Sequence, residues 1–94
     1  MRQARLFINR RHFYFPATTI RYGLPKAERV TLKIYNLLGE EVALIMNDEL
    51  RAAGYYVAIW DGRDKNGAVI ASGVYVYRMQ ARSFVMTKKL ALVK

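Results

Sequence analysis

The sequence predicts an all-β fold, an antiparallel β-sandwich of about seven short strands. Three observations carry that expectation. Apolar residues recur with a period of two from residue 18 onward. Turn-forming residues interrupt that pattern roughly every 8–12 residues, the spacing of a small sandwich. No segment holds a helical period. With 94 residues, 53% of them hydrophobic, the chain has room for one core and one small domain, and it is too apolar to be disordered.

The strands follow in order. Ile20, Tyr22 and Leu24 alternate with Thr19, Arg21 and Gly23. Pro25 ends that run, because proline has no N–H to give to a ladder. Val30, Leu32 and Ile34 alternate with Thr31, Lys33 and Tyr35. Successive side chains of a strand point to opposite faces, so each run buries one face. Asn36-Leu37-Leu38-Gly39 is the next turn, with Gly39 suited to positive φ. A third strand over 41–46 is expected to point Val42 and Leu44 inward. The period breaks over 47–54, which reads as a loop with up to one helical turn, closed by Gly54. Residues 55–60 form a fourth strand, rich in aromatic and β-branched side chains. Asp61 to Gly67 is a polar turn in which Asn66-Gly67 is the strongest hairpin signal of the chain. A short strand over 68–70 and a bend at Ala71-Ser72-Gly73 lead to long strands over 74–81 and 84–93, joined at Arg82-Ser83.

These runs define a core. Val30, Leu32, Ile34, Trp60, Tyr75 and Leu92 are expected to share it, with Trp60, the only tryptophan, as its anchor. Cutting such a side chain to alanine costs roughly 3–5 kcal/mol. In the last strand Phe84, Met86, Leu90 and Leu92 form the inward row. Lys88 shares their parity and must snorkel or lie near an edge. Val85, Thr87, Lys89, Ala91 and Val93 face outward. The whole pattern is that of an immunoglobulin-like sandwich, with a small barrel as the structural alternative.

Charge divides the chain in two. Sixteen Lys and Arg face seven Asp and Glu, a net +9. Arg2, Arg5, Arg10 and Arg11 precede Glu28, the first acid. Residues 1–14 therefore read as a basic, poorly ordered arm and residues 15–94 as the domain. The arm is not a signal peptide: Leu6-Phe7-Ile8 is far short of the apolar stretch of about 7–15 residues that one needs. No run is long enough for a transmembrane helix, so no membrane insertion is expected. Arginines beside Phe13, Tyr14 and Phe15 could bind phosphates and stack bases. A solvated tail is the plainer reading of such a run, and nucleic acid is not the expected partner.

Chemistry is sparse. The absence of cysteine excludes disulfides, thiolate zinc sites and a cysteine nucleophile. His12, the only histidine, lies in the arm, and the only serines, Ser72 and Ser83, lie outside any G-x-S-x-G elbow. There is no phosphate-binding glycine motif. Neither an enzyme nor a cofactor is expected. Asp61, Asp64 and Asn66 loosely resemble a calcium loop. Counted from Asp61, however, an EF-hand would find Arg63 at its third position and Ser72 at its twelfth. Turn formation is the expected role of these residues, and calcium binding is the alternative.

Four blocks, in order, resemble a known family. Phe15-Pro16-Ala17-Thr18-Thr19-Ile20-Arg21-Tyr22-Gly23-Leu24-Pro25 resembles the opening of the type IX secretion system C-terminal sorting domain (type A). That family belongs to the immunoglobulin-like group that includes the flagellar hook-capping protein's domain. Ile34 to Val42 is similar to its LYDxxGxxV block, with Asn36 in place of Asp. Ala53-Gly54 through Trp60-Asp61-Gly62-Arg63-Asp64 is similar to its AG…WDGRD block, and Gly73-Val74-Tyr75, Met79, Lys89 and Lys94 follow its closing block. Two departures stand out: the opening NPFNPSTTI has lost both asparagines and its first proline, and Ser83 replaces a usual glycine.

The resemblance implies a sorting module with Gly39, Gly73, Tyr75, Lys89 and Lys94 in its motif. Its partner would be the outer-membrane secretion machinery, and its destination, via the periplasm, secretion or the cell surface. A covalent cargo domain would lie upstream, so the chain is expected to be a fragment of a longer exported protein. The alternatives are an immunoglobulin-like interaction module of the hook-capping type and, third, a small basic nucleic-acid-binding β-domain.

Overall fold

The computed structural model describes residues 18–93. The arm over 1–14, with His12, and the terminal Lys94 lie outside the described residues. Six strands follow one another: β1 (Thr18–Leu24), β2 (Glu28–Tyr35), β3 (Glu41–Arg51), β4 (Gly54–Trp60), β5 (Gly73–Gln80) and β6 (Val85–Leu92). β1 and β4 pair as a two-stranded sheet, and the other four form a sheet in the order β3-β2-β5-β6. Every pairing is antiparallel.

The two sheets face each other across one core. β1 contributes Ile20, Tyr22 and Leu24, and β4 contributes Trp60 with the half-buried Tyr56 and Ala58. The opposing sheet contributes Val30, Leu32 and Ile34, all fully buried, together with Ala43, Met46, Tyr77, Met79, Leu90 and Leu92. Tyr75 packs against this cluster, as do Phe84 and Met86. Period-two alternation thus placed the core as expected in β1, β2 and β6, and Trp60 of β4 and Tyr75 of β5 lie in it and against it. Tyr22 ties the layers: its ring stacks on Tyr56 at 5.3 Å, and its hydroxyl donates to Met46 Sδ of the facing sheet at 3.5 Å. Lys88 has the inward parity but is exposed, because β6 is the edge of its sheet.

The middle of the chain corrects the sequence reading. β3 runs on through Arg51, where a loop with a helical turn was expected, and Ala52 and Ala53 alone turn the chain into β4. Within β3 the register against β2 shifts three times, between Val30 and Leu32, Leu32 and Lys33, and Ile34 and Tyr35. Each shift is a bulge that resets which residues face inward. Ala43 and Met46 are therefore the buried residues of β3, while Val42 is half-buried and Leu44 is exposed. Asp48 sits in one bulge with φ 54°, a conformation that Asp tolerates better than most. Its amide donates to Thr31 Oγ1 at 3.1 Å and its carbonyl accepts from Arg29 Nη1 at 3.0 Å. The polar run that looked like a loop is a strand with its irregular groups satisfied. The expected strand over 68–70 is a single bridge between Arg63 and Val69, which is why six strands stand in place of about seven.

One polar contact spans the fold. Glu28 opens β2 and is buried. Its carboxylate accepts the backbone N–H of Ser83 at 2.8 Å and the Ser83 hydroxyl, so the β5–β6 turn is held against the start of β2. The Ser83 hydroxyl, then its amide, hold the Glu28 carboxyl below its ordinary value of 4.5.

Two outcomes follow. Leu32→Ala should lower the unfolding free energy by about 2–5 kcal/mol, as expected when a fully buried leucine is cut back. Leu44→Ala should change it by less than about 0.5 kcal/mol, as at exposed sites. Urea titration of both variants checks the β3 register, and equal losses would refute it. The second outcome concerns acid stability. A carboxyl whose folded pKa is depressed stabilises the fold above its unfolded pKa, and that contribution is lost as pH falls through the folded value. Wild-type protein should therefore lose stability as pH falls from 4.5 toward the depressed value of Glu28. Ser83→Ala should flatten that part of the profile, as read by denaturation at a series of pH values.

Candidate functional site

The motif blocks converge at one end of the sandwich. The β2–β3 turn and the segment between β4 and β5 meet there around a shallow cleft lined by Glu40, Val42, Lys65, Ile70 and Tyr75. Sequence dictates the first turn through Asn36. Its side-chain oxygen accepts the N–H groups of Leu38 and Glu40, each at 3.0 Å, and its side-chain nitrogen donates to Glu40 Oε1 at 2.7 Å. Backbone bonds from Gly39 N to Asn36 O and from Asn36 N to Glu40 O close the turn. Gly39 completes it at φ 86°, a region costly for any residue with a Cβ. Asn36 therefore performs the turn-forming role that the resemblance gives to an aspartate.

The second segment hangs from Trp60. The indole ring is buried in the core and meets Tyr75 edge-on at 5.4 Å. Its Nε1–H donates to the Arg63 carbonyl at 3.0 Å, so the chain leaving β4 folds back over the ring. Asp61 Oδ1 accepts the Arg63 amide at 3.1 Å, and Asp64 Oδ1 accepts the amides of Asn66 and Ala68 at 2.9 and 3.0 Å. Gly67, at φ 83°, donates to the Asp64 carbonyl and accepts from Arg63 Nη1. Asp61 and Asp64 thus act as turn formers, their oxygens directed at backbone amides. Tyr75 reaches the same region, donating its hydroxyl to the Ala71 carbonyl at 2.7 Å.

A charged clamp locks the two segments together. The Lys65 amide donates to the Val42 carbonyl at 3.0 Å. Glu41 accepts from Lys65 Nζ at 3.0 Å and from Lys33 Nζ at 3.2 Å. The Lys65 ammonium first, with Lys33 behind it, holds the Glu41 carboxyl below the usual carboxylate value.

The structure therefore brings together Trp60 and Tyr75 of the expected site residues, whereas Gly39 lines a separate shallow groove with Tyr35, Val76 and Thr87. Gly73 opens β5 opposite Leu92, and nothing in its geometry demands glycine. Lys89 lies elsewhere, on the outer face of the four-stranded sheet in the cross-strand row Tyr35–Val76–Lys89. β5 separates it from β2, while Leu37 and Gly39 of the turn that follows β2 share a groove with Val85 and Thr87 of its own outward row.

Two features escaped the sequence reading. Leu37 and Leu38 sit on the locked β2–β3 turn, 65% and 85% exposed. Two leucines inside a turn were a legible signal, since turns favour polar residues. The β4 half of the outer face of the β1–β4 sheet is apolar as well: Tyr55, Val57 and Ile59 are all exposed there, opposite Gly23, Arg21 and Thr19 of β1.

The family model described as the FlgD Ig-like domain matches residues 17–83. FlgD from P. aeruginosa, known from its crystal structure, is similar over 81% of this chain, with 26% identity and a TM-score of 0.63. The present chain covers 59% of that FlgD chain. No curated protein matches the chain. The match is to the hook-capping member of the expected group, and the type IX sorting domain is not among these findings. The chain belongs to the FlgD Ig-like domain family.

Proposed function

We propose that the chain is an immunoglobulin-like interaction module of the hook-capping type, which presents a rigid surface to a protein partner and carries no chemistry of its own. The observation that carries this reading is the β2–β3 turn. Leu37 and Leu38 are exposed, yet the backbone beneath them is held by the Asn36 side chain and by the closing backbone bonds. Exposed apolar residues on a preordered backbone lose little entropy on docking, which favours their use in recognition. The polar groups of the neighbouring WDGRD segment are engaged in holding that segment. A photo-crosslinking residue at position 38 of the chain, in cells that make it, should capture a protein partner. Leu37→Asp together with Leu38→Asp should abolish binding to that partner while leaving the thermal midpoint within a few degrees. Capture from position 57 with none from 38 would move docking to the β1–β4 sheet and overturn the role of the turn.

One observation favours a second reading, a sorting label for an outer-membrane secretion machinery at the cell surface. Lys89 stands exposed on the outward row of β6, where the sorting-domain pattern implies a displayed lysine. Deleting residues 90–94 is a poor test, because Leu90 and Leu92 belong to the core. Residues 15–94 fused to an exported reporter, in a host with a type IX translocon, should instead carry it to the cell surface. Lys89→Glu should abolish that display without changing the melting temperature. Undiminished display of the variant would remove the mechanism.

A further inference from the structure

The charges of the chain are sorted by position. All seven acids lie between Glu28 and Asp64, whereas Lys65, Arg78, Arg82, Lys88, Lys89 and Lys94 follow with no acid among them. Each acid is already engaged. Glu28 binds Ser83, Glu40 binds Asn36, and Glu41 binds two lysines. Asp48, Glu49 and Asp61 pair with Arg29, Arg51 and Arg63, and Asp64 accepts turn amides. Arg78, Arg82, Lys88 and Lys89 are in no ion pair among the described residues. All four belong to the β5–β6 hairpin, which therefore carries uncompensated positive charge.

That charge sits at a sheet edge. Among the described residues β6 pairs with β5 alone, so its other side is a sheet edge eight residues long with backbone N–H and C=O groups open to a further strand. Cross-strand rows on the outer face run Lys33–Arg78–Thr87 and Tyr35–Val76–Lys89, with Val85 exposed nearby. Cations thus alternate with apolar side chains. Two copies of the chain meeting at this edge would oppose Lys88 and Lys89 to their own kind, and like charges facing each other across a ladder are unfavourable. An acidic strand meets the same edge with opposite charge.

The geometry points to the β6 edge as the docking site of an extended, acidic, partly apolar polypeptide segment that adds a fifth strand to the β3-β2-β5-β6 sheet. The backbone of the segment pairs with β6. On the outer face its carboxylates meet Lys89, within the field of Arg78, and its apolar side chains, of the opposite parity, lie along the row of Met86, Lys88 and Leu90. A polypeptide fits better than a nucleic acid, since only a polypeptide can continue the ladder and since valines and a tyrosine separate the cations. The inference uses the face that the sorting reading also uses, but it needs no translocon. It is tested in purified components, so its failure and the failure of either proposed function are distinguishable.

The probe is a fluorescent decapeptide of alternating Glu and Val, with the Lys and Val decapeptide as its counterpart. The protein is the full chain with Arg2, Arg5, Arg10 and Arg11 changed to Gln, so that the arm does not contribute. The acidic peptide should bind saturably, with affinity falling as salt rises, and at least about tenfold more tightly than the basic one. Lys88→Glu with Lys89→Glu should reverse that preference at an unchanged melting temperature. Bound acidic peptide should slow amide hydrogen exchange over residues 85–92. This last measurement uses unsubstituted β6, so it decides the matter even if the charge reversal unfolds the protein. Equal affinity for the two peptides, an unaffected double variant that remains folded, or protection confined to other strands would overturn the inference. Tighter binding of oligothymidine or of phosphatidylserine vesicles than of the acidic peptide would also overturn it, assigning the patch to nucleic acid or to a membrane.

Discussion

The fold's loop end depends on how Trp60 is held. Its ring lies in the core between the sheets, but its one polar atom faces outward and binds the Arg63 carbonyl at 3.0 Å. A buried indole N–H without a partner is costly, so the chain after β4 is drawn back over the ring. That return brings Asp61 and Asp64 into position to organise their own turns, and it places Lys65 beside Val42 and Glu41. Tyr75 closes the arrangement from β5 by packing edge-on against the same ring. One side chain thus couples the hydrophobic core to a long segment that has no regular strand of its own.

This coupling explains the chemistry of the motif residues. The glycines, aspartates, asparagines and tyrosines of the WDGRD and GVY blocks look like a constellation that could hold a ligand. In the structure their hydrogen bonds run to backbone groups a few residues away. Among the side chains exposed at that end are two leucines, Leu37 and Leu38, on a turn whose backbone is already ordered. A surface of that kind suits recognition.

Electrostatics divides the molecule a second time. Acids and their partners are concentrated on β2, β3 and the two loops, where they reinforce local geometry. The β5–β6 hairpin carries cations alone, and it ends the sheet. Lysines on an edge strand discourage pairing between identical copies. The same lysines leave the edge selective by charge, so a feature that protects solubility also defines which strand can approach.

Much of this was legible in the sequence because strand patterning is local. The period of two in β1, β2 and β6 identified Ile20, Val30, Leu32, Ile34, Leu90 and Leu92 as core and Lys89 as outward, since a strand's geometry alone determines which residues share a face. Asn36-Leu37-Leu38-Gly39 and Asn66-Gly67 were readable as turns because their conformations rest on one or two residues. The inward set of β3 was not readable. Its bulges arise from pairing with β2, and each extra residue resets the parity that sequence alone must assume to be constant. The bond between Glu28 and Ser83 was equally hidden, because 55 residues separate its partners and neither has a local pattern pointing to the other. The neighbourhood of Lys89 was also decided in three dimensions: strand order places β5 between β6 and β2. Sequence determined the faces of the strands and the chemistry of the turns, which depend on near neighbours. Tertiary structure decided register, strand order and the contacts that join distant segments, because those depend on which strand lies alongside which.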